Sequence, residues 1–143
     1  MATNLLAALA LSLVLGADGK DPVDSDRQKL EGKWTITSAV MDGNKVPKGQ
    51  LKGFVIFKGK HYSYRTNGEK GEGTFKIDPT KNPKFLDSIP SDGPVKGMTV
   101  EQIYEVDGEN LKICLTLPGN DRPTEFKSEP GSNRMLFTYK RAK

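Results

Sequence analysis

One cysteine, one histidine and one tryptophan stand in a chain of 143 residues. A lone cysteine excludes an intrachain disulfide and any cysteine-based zinc cluster, and a lone histidine leaves little material for a transition-metal site. No G-x-S-x-G elbow, Walker loop or H-E-x-x-H run is present, so the commoner hydrolytic and nucleotide-binding kits are missing. Long apolar runs are equally scarce. The single example, at residues 5–15, has the length of a signal-peptide h-region and is too short to cross a bilayer comfortably. We read residues 1–19 as a signal peptide cleaved after Gly19, which places Ala17 and Gly19 at the small-residue positions. Residues 20–143 are then one exported domain, periplasmic or secreted, with no stable membrane span. Losing Asp18 with the leader moves the formal charge from +4 to +5. Acids are interspersed among the Lys and Arg residues, as in GEKGE, which describes a mixed-sign surface and not a nucleic-acid footprint.

What the chain does contain is alternation. After a short helix over residues 21–31, with Asp24 or Ser25 as N-cap and Gly32 as the stop, the pattern changes to period two. Trp34, Ile36, Ser38 and Val40 fall on one face of a first strand. Further strands are expected at 54–57, 61–66, 73–77, 98–106, 111–117, 125–128 and 135–140, separated by turns such as Asn67-Gly68 and Asp107-Gly108. Four prolines between Pro79 and Pro94 mark that stretch as mostly loop or edge strand, with at most a brief strand at 84–88. Leu111, Ile113, Leu115 and Leu117, alternating with Lys112, Cys114 and Thr116, give the clearest signal. About eight short hairpin-linked strands with one short helix predict an all-β fold. With so little helix to cover a sheet face, closure into an antiparallel up-and-down barrel is the expected architecture.

The segments RQKLEGKWTI, GTFKIDPTKNPKFLD, IYEVDGENLKICL, PGNDRPTEF and MLFTYKRAK resemble the uncharacterised lipocalin-like domain family expanded in planctomycete bacteria, over residues 27–143. The resemblance implies an exported single-domain barrel. It also implies structural roles for Gly32 and Trp34 in the G-x-W element, with Trp34 closing one barrel end and Arg141, or else Lys140, stacked on it.

Candidate chemistry is thin. His61 and Cys114 lie on different expected strands, so a Cys/His nucleophilic pair lacks support from position. No catalytic residue, metal ligand or cofactor is assigned. Tyr62 and Tyr64 share a strand face near Phe54 or Phe57 on the preceding strand. These four could line a cavity for an apolar molecule, since a tyrosine tolerates hydrocarbon along its ring and orients a polar head with its hydroxyl. Arg122 and Glu125, in the R-P-T-E-F stretch that the resemblance singles out, form either a ligand clamp or a turn-stabilising ion pair. Lys52-Gly53-Phe54 and the following aromatic partly match an RNA-binding signature, but the two helices of that fold are missing. The expected activity is binding of a small amphiphilic ligand or an envelope partner by a monomeric protein that is not an enzyme. A barrel filled by its own side chains and acting as an interaction module is the alternative, and a hydrolase using Glu101 and Glu125 is a third reading.

Overall fold

The computed structural model describes residues 21–143; the signal peptide expected at residues 1–19 lies outside them. Helix α1 (Pro22–Leu30) is capped by Asp21, whose carboxylate accepts the Val23 N–H at 2.8 Å. The cap therefore falls three residues before the earliest position expected from the sequence. Pro22 accounts for this: it has no N–H to lose at the first helical position and its φ suits the helix. Nine strands follow: β1 (Gly32–Met41), β2 (Asn44–Lys45), β3 (Gly53–Lys58), β4 (His61–Thr66), β5 (Glu69–Asp78), β6 (Lys84–Pro90), β7 (Val100–Asp107), β8 (Asn110–Thr116) and β9 (Arg134–Arg141).

All pairings are antiparallel, in the order β1-β3-β4-β5-β6-β7-β8-β9, and β9 pairs back onto β1. The eight long strands thus close an up-and-down barrel of lipocalin-like form, while β2 is a short hairpin flap on β1. Closure leaves no open edge on the eight-stranded wall. No helix among the described residues is long and apolar enough to cross a membrane.

Three local departures from simple alternation shape the interior. First, the β1–β9 register shifts between Ile36 and Ser38, a bulge at Thr37. One extra residue reverses the side-chain alternation beyond it. Trp34 and Ile36 are buried as expected, but the inward set then continues through Ala39, which is fully buried, and Met41 instead of Ser38 and Val40.

Second, the proline-rich stretch holds a full strand, β6, paired on both sides. Its prolines stand before Lys84, at the terminal Pro90 or beyond it, so no ladder position inside the strand lacks a donor. Third, residues 125–128 form no strand. They belong to a strap, residues 117–133, that crosses the outer wall over β7 and β8. The outward side chains Ile103 and Cys114 are completely buried beneath it, as is Pro123 of the strap itself.

Core packing is concentrated at the helix end. Leu30, Trp34, Phe75, Ile77, Tyr104 and Leu111 are buried there, and Phe57 meets Phe75 edge-on at 4.9 Å between ring centroids. The Trp34 indole N–H donates to the Leu30 carbonyl at 2.8 Å. Arg141 covers the ring, its guanidinium carbon 4.2 Å from the centroid, and donates to the carbonyls of Lys29 at 2.6 Å and Glu31 at 2.9 Å. One arginine from the last strand thereby satisfies carbonyls at the end of α1 and stacks on the indole below.

Candidate ligand cavity

At the other end the barrel is hollow. A cavity of about 330 Å³ is bounded by Phe57, Leu86, Ile113 and Tyr139 toward the packed end and by Tyr64, Thr66, Glu69, Pro90, Val95 and Leu117 toward the rim. Tyr64 and Leu117 are two of the large hydrophobic residues left exposed. Such a volume lies at the lower end of the range for small-molecule sites.

Beside the cavity, large side chains are paired with glycines. Tyr64 stands opposite Gly71 and Tyr62 opposite Gly73 on neighbouring β5. A Cβ added at Gly71 would lie 2.5 Å from the Tyr64 ring, and one at Gly73 would lie 2.9 Å from the Tyr62 ring. With hydrogen there instead, each ring lies across the adjacent strand. The Tyr62 hydroxyl thereby comes close to Ser88 on β6. Gly73 is doubly constrained, because the same Cβ would run into the backbone carbonyl of Ile89. We therefore expect Gly73→Ala to cost about 1–3 kcal/mol, as for other overpacked sites. Gly71→Ala should cost less, since its obstacle is the half-exposed tip of a side chain; urea denaturation of the two variants measures the difference.

A polar seam crosses the otherwise apolar lining. The Gln102 side-chain amide donates to Ser88 Oγ at 2.7 Å, and both residues are buried. The Tyr139 hydroxyl lines the same space and makes no hydrogen bond among the described residues. Burial raises the hydroxyl pKa of Tyr62, Tyr64 and Tyr139, with the carboxylates of Glu69 and Asp92 adding to the rise at Tyr64 and Asp92 at Tyr62. All three phenols therefore remain protonated donors at neutral pH.

Of the residues singled out from sequence, Phe57, Tyr62 and Tyr64 meet at this cavity. Phe54 does not, because it points to the outer face, where Lys33 Nζ lies 4.2 Å from its ring. It borders an open groove of about 500 Å³ with Lys52 and Arg65, a surface hollow that surrounds nothing.

Arg122 and Glu125 also lie outside. Arg122 pins the strap to the wall: it stacks 3.9 Å from the Phe85 ring, donates to the Gln102 carbonyl at 2.8 Å and to Glu101 at 3.0 Å, and stands 2.7 Å from Asp87. Glu125 is exposed, 3.8 Å from Lys127. Neither Glu101 nor Glu125 borders the cavity, so a carboxylate pair flanking a bound substrate is not assembled there. His61 is exposed on β4. Cys114 is sealed under the strap, its thiol 3.4 Å from the Lys127 carbonyl and its pKa pushed up by burial, the opposite of a nucleophile's setting.

Ser88, Gln102 and Tyr139 were not anticipated as a group. Gln102 did carry a signal, being an amide on the otherwise apolar face of Val100, Tyr104 and Val106. Ser88 was obscured by the prolines around it. Comparison with known proteins finds no matching family model, no matching curated protein and no matching solved structure.

Proposed function

We propose that this chain is a non-enzymatic, exported binding protein of the lipocalin-like family its motifs resemble, which holds one small amphiphilic molecule inside the barrel. The single observation that carries this reading is the cavity itself. The interior is packed solid at the helix end yet open toward the rim, and two glycines on one strand make room for the tyrosines that line it. A purely structural module gains nothing from such a hollow, since each unfilled volume forfeits contacts among its lining atoms. The lining also combines an apolar body with a few convergent polar groups, the usual chemistry of a ligand site.

Native mass spectrometry of protein purified from its source is expected to show a co-bound small molecule, whereas bare mass supports a role without a ligand. The matching variant is Leu115→Trp, which places an indole in the middle of the lining. With the strand signature in circular dichroism retained, occupancy should fall to about a tenth or less, because filling the hollow removes the space and leaves the wall intact. Occupancy equal to that of the native protein would place the ligand elsewhere.

A further inference from the structure

The charge and hydrogen-bonding character of the lining identify the ligand more closely, on the reading that the cavity is the binding site. We infer that the cavity takes an uncharged apolar molecule ending in a hydroxyl, and discriminates against the corresponding carboxylate.

Among the described residues that border the cavity, only Glu69 is charged, and it stands exposed at the rim. No lysine, arginine or histidine among the described residues lines it. An ionised carboxylate drawn inside would lose its water and meet no counter-charge, an arrangement that proteins avoid by pairing or neutralising the group. The approach is unfavourable as well, because Glu69 and Asp92 both act electrostatically on Tyr64, and Asp92 also on Tyr62. Two acidic side chains therefore bias the entrance against anions.

A cationic head gains little in exchange. Its one partner among the lining residues is Glu69 in solvent, where an ion pair contributes little, and it would forgo the bonds available inside. Those bonds suit a group that can donate or accept. The Tyr139 hydroxyl offers a donor with no partner among the described residues. The Gln102 side-chain oxygen is an acceptor with no donor among the described residues, its amide nitrogen being committed to Ser88. An alcohol can use either one, accepting from the phenol or donating to the amide oxygen. The volume sets the length: about 330 Å³ matches roughly eleven waters at ~30 Å³ each, or a chain of about ten non-hydrogen atoms.

The test is a calorimetric titration of the full-length domain with decanol and with decanoate at about pH 8, where the acid is ionised. Decanol should bind at least about tenfold more tightly, the discrimination expected when one head is satisfied and the other is buried unpaired. In a Glu69→Gln, Asp92→Asn double variant the preference should narrow, because decanoate binding improves once the acidic rim is neutralised. Should the double variant not fold, Asp92→Asn alone, in the exposed loop after β6, carries the same expected direction. Equal affinities for the two probes in the native protein, tighter binding of decanoate, or an unchanged preference in the neutralised rim would overturn the inference while leaving the cavity as a binding site. Failure of both probes to bind would instead overturn the cavity reading itself.

Discussion

Replacing Trp34 with alanine is expected to destabilise the barrel by about 3–5 kcal/mol, the range for removing a fully buried large aromatic. Three losses combine at this position. The indole is completely buried, so its removal leaves a void at the most tightly packed end. Its N–H no longer meets the Leu30 carbonyl, and Arg141 loses the ring on which it stacks. The last loss reaches furthest along the chain. Arg141 holds the carbonyls of Lys29 and Glu31, so the indole supports the contact between the final strand and the end of α1. Trp34→Phe separates the contributions: it restores most of the volume but not the hydrogen bond, and should recover more than half of the loss. Equilibrium urea denaturation of the two variants provides the numbers, and a loss below about 1 kcal/mol for the alanine variant would mean that the site collapses around the gap. Because the packed end and the cavity are at opposite ends of the barrel, any affinity of the surviving folded fraction for the proposed ligand should change far less than stability.

The same separation explains which parts of this molecule were legible in its sequence. Closure and seven of the eight long strands followed from period-two runs and from the shortage of helix, because both depend on local alternation and on the amount of apolar face needing cover. Trp34 and Tyr62 were legible for the same reason. The inward direction beyond Ile36 was not, since a bulge is one inserted residue without a composition of its own, and Thr37 differs in no obvious way from Thr35. The stretch at 125–128 shows strand-like alternation yet lies on the outer wall, where Ile103 and Cys114 need covering; only the folded barrel reveals that requirement. Gly71 and Gly73 show how a site can be present but unreadable. Their spacing matches that of Tyr62 and Tyr64, but glycine in a strand has several meanings, and the pairing that gives these two theirs joins residues on different strands. Arg122 was legible as an ion-pairing residue, although its partners Asp87 and Glu101 come from β6 and β7 and not from its own loop.

Acid should loosen the attachment of α1 to the barrel, and Asp26 is the group responsible. This aspartate faces inward from the helix and is nearly inaccessible to solvent. One carboxylate oxygen accepts from Lys84 Nζ at 2.8 Å and from the Tyr104 hydroxyl at 2.7 Å, while Lys29 lies 3.7 Å from the other. Burial alone would raise its pKa, but the hydrogen bonds from Lys84 and Tyr104 and the two ammonium charges outweigh that penalty and hold it below the ordinary aspartate value. A carboxyl depressed on folding stabilises the native state above its unfolded pKa, near 3.9. That contribution disappears as pH falls through the lower, folded value. The native protein should therefore lose stability below about pH 4, and Asp26→Asn should lose less over the same interval. At neutral pH the substitution Asp26→Ala should cost about 2–4 kcal/mol, somewhat below the full penalty for breaking a buried pair, because the partly exposed Lys84 can turn to solvent. Tyr104 cannot, being almost completely buried, and its phenol would be left without an acceptor. A double-mutant cycle with Tyr104→Phe isolates that part: coupling of about 1 kcal/mol or more is expected for a buried hydrogen bond to a charged acceptor. Additive losses, or an unaltered acid profile in Asp26→Asn, would assign the attachment of α1 to apolar packing alone.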